Sequence, residues 1–246
     1  MDDYQIKNFL KFAPAMYGLA RKPYLFIHIP KNGGMSIRHA PQLADRVLTA
    51  SRRRLKSRAY ADAVLQTMRA TGDHPGYEHA RLRDVDATVR KAARPFAIVR
   101  NPWSRVVSRY TFALQVMDTG NAPENYAPRD FEAFLDDRLK WDGKPYFWHR
   151  AVRGWYPQTD YVVNEAGDVA ADILRLENFD ADAERYFGLP GSLERRNITL
   201  KKRLDYKDYF DKRTIQIVAD WYAPDIETFG FDFDTMAKKG TVYDDG

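Results

Sequence analysis

The chain has 246 residues, 44% hydrophobic and 30% charged, a composition typical of a globular protein that can bury a substantial core. With 39 basic and 34 acidic residues the net charge is +5, a modest excess that suits an anionic ligand, RNA or simple solubility. The sequence contains no cysteine, which excludes a disulfide framework and a thiolate metal site.

Residues 1–21 predict neither a signal peptide nor a membrane span, because Lys7, Lys11 and Pro14 interrupt their apolar positions. The longest apolar runs, such as 24–27, fall far below the roughly 20 residues that cross a bilayer. We therefore expect a soluble, cytoplasmic protein without a Golgi-type membrane anchor, and the lack of cysteine is compatible with that expectation.

Apolar runs rich in β-branched and aromatic residues predict strands, and apolar positions at helical spacing predict helices. In chain order, the predicted elements are a strand over 24–29, a helix from 35, helices over 47–70 and 80–92 around a loop at 72–76, a strand over 95–99, helices over 102–117 and 131–139, strands over 161–163 and 173–176 around a turn at 165–168, and helices over 180–187 and from 211 to about 222. This alternation predicts an α/β fold with a mainly parallel sheet. No internal repeat or low-complexity linker divides the chain, so we expect one domain over 1–246, with its core at about 22–234.

A glycine-bearing turn joins the first predicted strand to the first predicted helix. Gly33 and Gly34 allow the backbone to bend and approach a ligand closely, and the amides at the helix start favour an anion. Lys31 adds a positive charge and Ser36 a hydroxyl donor. The segment predicts a phosphate-binding loop, although the G-x-x-x-x-G-K-[ST] spacing of nucleoside triphosphatases is absent. The alternative interpretation is a tight turn with an incidental lysine.

The second predicted strand–turn–helix unit carries Arg100 where the strand ends and Ser108 eight residues later, about two helical turns along. An arginine fork and a hydroxyl can bind one phosphate together. The alternatives are a structural salt bridge for Arg100 and a position on the helix surface for Ser108.

The two motifs, in this order, resemble the sulfotransferase superfamily, and specifically the carbohydrate O-sulfotransferase branch called sulfotransferase family 2. They read Pro30-Lys31-Asn32-Gly33-Gly34-Met35-Ser36 and Val99-Arg100-Asn101-Pro102, with Ser108 and Tyr110 following. Weaker matches extend the likeness over about 24–233: Glu78-His79-Ala80, Glu177-Asn178, Asn197 and Thr199 followed by Tyr206 and Tyr209, and Asp225 to Phe233.

The resemblance implies an α/β fold with a P-loop-like central parallel sheet flanked by helices. It implies 3′-phosphoadenosine 5′-phosphosulfate (PAPS) as co-substrate, a hydroxyl acceptor on a glycan or glycoconjugate, and neither a metal nor a nucleic-acid partner. The first motif would be the 5′-phosphosulfate loop and the second the 3′-phosphate site. The implied donor-binding residues are Lys31, Asn32, Gly33, Gly34, Met35, Ser36, Arg100 and Ser108. Met35 stands where the family usually has threonine, so one hydroxyl donor is missing.

Sulfuryl transfer requires a cation at the leaving phosphate and a base that removes the proton of the acceptor hydroxyl. Lys31 is the predicted cation. A base that titrates near neutral pH favours histidine, and His79 matches the family's Glu-His-Ala pattern better than His74 does, with Glu78 as the fallback. We assign the remaining histidines elsewhere: a buried strand for His28, a helix surface for His39 and an aromatic segment that could line an acceptor cleft for His149.

Several segments keep two interpretations. The basic run 52–58 is a solvated helix face or a docking site for an acidic acceptor or a membrane surface. The run 201–203 closes over the nucleotide or forms a solvated loop. Five aromatic residues stack on sugar rings or belong to the core: Trp141, Tyr146, Trp148, Trp155 and Tyr156.

Two rival functions fit part of the sequence. One is a P-loop-type kinase that uses ATP, against which count the missing Lys-Ser/Thr pair after the glycines and the missing carboxylate context for Mg²⁺. The other is a non-catalytic relative that holds a nucleotide or polyanion, which only Met35 and the basic run 52–58 favour.

Overall fold

The computed structural model describes residues 1–71, 79–194 and 205–234 of the protein. At its centre lies a four-stranded parallel sheet in the order β2-β1-β3-β4. The strands are β1 (Tyr24–Ile27), β2 (Val47–Thr49), β3 (Arg94–Val99) and β4 (Asp172–Arg175). In register, Phe26 of β1 lies between Thr49 of β2 and Phe96 of β3. The predicted α/β fold with a central parallel sheet flanked by helices is confirmed.

Helices surround this sheet. They are α1 (Asp3–Met16), α2 (Gly34–Arg38), α3 (Arg58–Ala70), α4 (Ala87–Ala92), α5 (Pro102–Asp118), α6 (Phe131–Trp141), α7 (Thr159–Val162), α8 (Phe179–Phe187), α9 (Lys212–Trp221) and α10 (Ala223–Phe229). Within the ranges that the structure describes, no helix combines the length and the apolarity needed to cross a bilayer.

The alternation of side chains along β1 divides the core between the two faces of the sheet. Leu25 and Ile27 pack with α1, α3 and α4, whereas Phe26 packs with α2 and α8. A third apolar cluster joins α5, α6 and α9. Because β1 and β3 are parallel neighbours, the loops that follow them emerge side by side at one edge of the sheet.

The predicted helix over 47–70 is wrong in its first half. Val47–Thr49 is the strand β2, a short 3-10 turn follows at Arg52–Arg54, and α3 begins only after Ser57, whose hydroxyl caps it through the amide of Tyr60 at 3.1 Å. Pairing with β1 explains the difference. The backbone groups along the free side of β1 can form a ladder of hydrogen bonds only with an extended segment, and Val47–Thr49 is that segment. The predicted helix over 80–92 is likewise shorter. The side chain of Asp86 accepts the amides of Thr88 and Val89 and so caps α4, which begins at Ala87.

The predicted strand over 161–163 is also wrong, since Tyr161 and Val162 belong to α7, and Val163 after it forms an isolated bridge with Val169. The buried carboxylate of Asp225 accepts the backbone amides of Gln158 and Thr159, each at 2.8 Å, and so fixes a helical turn there. The helices α1 and α10 were not predicted, although Pro14 lies within the first and Pro224 opens the second. The other predicted elements in the described ranges are present, with bounds shifted by a residue or two.

Candidate active site

The loop between β1 and α2 holds two residues in the left-handed backbone region. Lys31 has φ 69° and Gly33 has φ 75°. For a residue with a β-carbon this conformation costs about 1 kcal/mol, and such strain concentrates in ligand-binding loops. Alternating backbone conformations of this kind turn successive amides towards one point, which makes a concave site for an anion. The strained residue here also carries the cationic side chain.

Close packing explains why this loop contains two glycines. A β-carbon on Gly34 would lie 2.1 Å from Nε2 of His28, whose imidazole is buried directly against the loop. A β-carbon on Gly33 would lie 2.6 Å from Cδ1 of Leu176, which follows β4. Any larger residue at these positions would displace the loop or its support.

The side chain of Asn32 faces the interior. Its Nδ2 atom donates to the carbonyl of Ile98 at 2.7 Å and to Oε1 of Gln158 at 2.6 Å. A ligand contact from Asn32 would therefore come from its backbone. Met35 is half-buried and Ser36 is buried on the short helix α2.

The second junction, between β3 and α5, is capped by Asn101. Its Oδ1 atom accepts the amides of Trp103 at 3.1 Å and Ser104 at 3.3 Å, which begins α5. Oε1 of Glu177 accepts the amide of Asn101 itself at 2.7 Å. Burial raises the pKa of the Glu177 carboxyl, while the amide of Asn101 opposes that shift. The Glu-Asn motif after β4 thus supports the start of α5.

The guanidinium of Arg100 bridges the two junctions. Nη1 donates to the carbonyl of Lys31 at 3.2 Å, whereas Nε and Nη2 both donate to the hydroxyl of Ser104, at 2.9 and 2.7 Å. Ser108 is half-buried one further turn along α5. Arg100, Ser104 and Ser108 therefore form a row at intervals of four residues. Ser104 is not among the residues predicted for the site, although its spacing of four residues from Arg100 and from Ser108 is visible in the sequence.

One side-chain amide holds both junctions. Oε1 of Gln158 accepts Nδ2 of Asn32 at 2.6 Å and the backbone amide of Arg100 at 2.8 Å. Its Nε2 donates to the carbonyl of Arg100 at 2.8 Å and to Asp225 at 3.2 Å. Nothing in the sequence marked Gln158, because it follows no motif and its partners are remote along the chain.

Two further contacts place positive charge at the first loop. Nζ of Lys31 lies 3.9 Å from the ring centre of Phe112, a cation–π contact with α5. The buried guanidinium of Arg105 donates to the carbonyl of Pro30 at 3.3 Å and to that of Tyr156 at 3.1 Å. The helix α5 thus supports the loop through both its first turns and its middle.

His79 lies beside the first loop. Its Nδ1 atom is 2.9 Å from the carbonyl oxygen of His28, and the two imidazole centres are 4.5 Å apart. Because a carbonyl oxygen can only accept, Nδ1 donates, and the lone pair of the neutral ring is on Nε2. The packing of His28 against Gly34 puts His79 next to the glycine loop.

The two buried histidines, His28 and His149, differ from His79 because burial lowers the pKa of both. Burial lowers the pKa of His28 well below its usual value, and the charges of His79, Arg38 and Lys31 lower it further. Burial likewise lowers the pKa of His149, again with a smaller contribution from His79. Both rings therefore stay neutral at pH 7. His39 is exposed on the surface, as the sequence predicted.

The aromatic residues that are candidates for stacking on sugars differ in how deeply they are buried. Trp148 and Trp155 belong to the core. Trp141, Tyr146 and Tyr156 are half-buried. Other candidates lie outside the described residues: His74, Glu78, Asn197, Thr199, Lys201, Lys202 and Arg203. Among the described residues, no group of histidine and carboxylate side chains is suited to hold a metal ion.

Comparison with known proteins gives one finding. A model of the sulfotransferase family matches residues 21–232, a range that includes both junctions, His79 and Glu177. No curated protein and no solved structure matches the chain.

Replacement of Gln158 by alanine is expected to lower the free energy of unfolding by about 2–4 kcal/mol, because buried donors on Asn32 and Arg100 lose their acceptor. Thermal or urea unfolding measures this loss, and hydrogen exchange should speed up in both junctions. The exposed Gln216, whose side-chain amide donates to Asp220, offers a matched control in Gln216→Ala. If Gln158→Met, which fills the space without hydrogen bonds, is as stable as the parent, the bridge is only packing.

Proposed function

The chain belongs to the sulfotransferase family, and on that premise we propose that it transfers the sulfuryl group of PAPS to a hydroxyl group of a carbohydrate acceptor. One observation carries the proposal: the contact between the two anion-binding junctions through Arg100 and the carbonyl of Lys31, at 3.2 Å. A donor with phosphate groups at both its 5′ and 3′ positions requires two such sites side by side. The adjacent parallel strands β1 and β3 provide this arrangement.

The first loop would hold the 5′-phosphosulfate. Its contributors are Lys31, the backbone amides over 33–36 and the hydroxyl of Ser36. Met35 supplies no hydroxyl, so donor binding there depends on the remaining groups. The positive φ of Lys31 and Gly33 supports this role, since it shapes a concave backbone.

The 3′-phosphate would bind at Arg100 and Ser108. Two nitrogens of Arg100 now donate to the neutral hydroxyl of Ser104. A phosphate oxygen is a stronger acceptor than a hydroxyl, because its hydrogen bond to a guanidinium is assisted by charge. Ser104 therefore holds the fork in a defined position until the donor arrives.

In the transfer step a bond forms between the acceptor oxygen and sulfur, while the bond from sulfur to the bridging oxygen breaks. The bonding pair stays on the bridging oxygen of the adenosine bisphosphate, where Lys31 would neutralise the new charge. The contact with Phe112 keeps the ammonium at the loop, close to the proposed position of the donor. The proton of the acceptor hydroxyl moves to Nε2 of His79.

A carbohydrate acceptor rests on the resemblance to the carbohydrate branch of the family, and the half-buried Trp141, Tyr146 and Tyr156 offer apolar ring faces. We place the reaction in the cytoplasm, within a single domain that spans the chain. A screen of glycans, lipid-linked sugars and small alcohols with radiolabelled PAPS tests the activity and the acceptor class together. Because the proposed step needs no metal, turnover should survive chelation of Mg²⁺, which would abolish a kinase activity.

The donor site should discriminate between nucleotides. Adenosine 3′,5′-bisphosphate is expected to bind about ten- to a hundredfold more tightly than adenosine 5′-phosphate, because the loss of one charged hydrogen-bond partner usually weakens binding by that factor. Isothermal titration measures both affinities. Arg100→Ala should remove the preference, whereas Arg213→Ala, a change at an exposed arginine of α9, should leave it intact. Equal binding of the two nucleotides by the parent protein would refute the 3′-phosphate assignment.

Lys31→Ala is expected to lower kcat more than it weakens binding of the bisphosphate product, because the lysine charge matters most when the bridging oxygen becomes anionic. Alanine keeps a β-carbon at the positive φ of this position, so the variant changes the charge and leaves the backbone strain. Turnover and titration are compared in the same preparation. Equal losses in both would make Lys31 a docking residue only.

His79→Ala is expected to reduce turnover about a hundred- to ten-thousandfold while bisphosphate affinity stays nearly unchanged, because the base faces the acceptor. Parent activity should rise with pH as the imidazole loses its proton. His28 and His149 do not produce this profile, since their lowered pKa keeps them neutral.

His74→Ala is the control for His79 and should be much milder. A dead His74→Ala beside an active His79→Ala would move the base to His74 and keep the mechanism. Full activity in both variants would end the histidine hypothesis and make Glu78→Gln the next variant to measure.

A further inference from the structure

The outer face of α1 exposes large apolar side chains. Ile6, Phe9 and Leu10 are 47%, 37% and 71% exposed, whereas Phe12 and Ala15 on the opposite face are buried in the core. Six of the eight large apolar side chains exposed in the described residues lie between 1 and 19, and the other two are Leu139 and Val169. A concentration of this kind on one helix and its flanking residues marks an interaction surface, since exposed apolar residues are normally scattered.

Basic residues lie along α1 and soon after its end. Between α1 and the turn at Arg52–Arg54 lies a cavity of about 700 Å³, whose lining includes Lys7, Lys11, Arg53 and Arg58. Beyond the end of α1 at Met16, Arg21 and Lys22 line a second cavity of about 490 Å³. Positive charge therefore accompanies the helix along its length and continues in the segment that follows it.

Part of this charge is not neutralised by the protein. Lys7 and Arg58 share Asp3, at 3.7 and 3.6 Å. By contrast, four of the basic residues form no ion pair with any described residue: Lys11, Arg21, Lys22 and Arg53. The first cavity is also lined by Asn8, which is 5% exposed and whose Nδ2 atom has no hydrogen-bond partner among the described residues.

We propose that α1 and its basic border dock the protein on the surface of a bilayer that contains anionic phospholipids. A bilayer presents an apolar interior and anionic headgroups side by side, which is the arrangement that this surface complements. Interfacial helices bind in this way, with the apolar face among the upper acyl chains and lysine and arginine at the headgroups. The apolar positions Ile6, Phe9 and Leu10 lie next to Lys7 and Lys11 around the helix, because successive residues turn by about 100°.

Flotation with vesicles tests the proposal on the intact protein. The protein should float with vesicles of phosphatidylcholine plus phosphatidylserine, should float much less with phosphatidylcholine alone, and should be released by added salt. Leu10→Ser is expected to weaken binding about tenfold through lost apolar burial. Removing one charge is expected to weaken binding about fivefold, so Lys11→Gln with Arg53→Gln should weaken it roughly twenty-five-fold.

Matched controls lie on α6, where Leu139 is 62% exposed and Lys140 follows it. Leu139→Ser and Lys140→Gln should leave vesicle binding unchanged, and all variants should keep the parent's melting temperature because the residues are exposed. The readout is binding, so it does not depend on sulfuryl transfer.

Four results would overturn the proposal. One is equal binding to the two kinds of vesicle. Another is an equal loss in the α6 controls. The third is a parent protein that sediments as a dimer and becomes a monomer on Leu10→Ser, which would assign the apolar face to self-association. Full competition by soluble glycerophosphoserine would also overturn it, because the cavity would then bind a free phosphate rather than a bilayer.

Discussion

The hydrogen bonds of one buried amide, Gln158, set the distance between the two junctions of the candidate site. The parallel pairing of β1 with β3 brings both loops to one edge of the sheet, but the pairing alone leaves the distance between the loops free to vary. Gln158 removes that freedom by bonding Asn32 in one loop and both backbone groups of Arg100 in the other. Asp225 in turn holds Gln158, so α10 supports a site to which it supplies no ligand.

The guanidinium groups of Arg100 and Arg105 donate hydrogen bonds to backbone carbonyls of the first loop. Arg100 donates to the carbonyl of Lys31, and Arg105 to that of Pro30, so like charges are kept close together by neutral acceptors. A carbonyl satisfies a guanidinium without cancelling its charge. An anionic donor would therefore meet a positive potential that is already organised, and its phosphate oxygens would be stronger acceptors for Arg100 than the hydroxyl of Ser104.

The parts of the candidate site that are formed by contiguous residues could be predicted from the sequence. A strand, a turn and a helix start are contiguous, so Gly33 or Arg100 could be placed from neighbouring residues alone. Gln158 and Asn32 are 126 residues apart, and no local pattern connects them. The same limit explains β2: Val47–Thr49 fits a helix by periodicity, and only its remote partner β1 makes it a strand. Site support and edge pairing are properties of the tertiary structure, which overrides local preference.

The first loop also links the donor site to the candidate base. Gly34 leaves room for the imidazole of His28, and the carbonyl of His28 fixes which nitrogen of His79 carries the proton. One short stretch, from the end of β1 to the start of α2, therefore shapes the candidate anion site on one side and orients the imidazole of His79 on the other. A displacement of this stretch would alter both functions together, because the rigid packing of Gly34 on His28 transmits the movement. The close approach at Gly34 therefore constrains the candidate site as well as the fold.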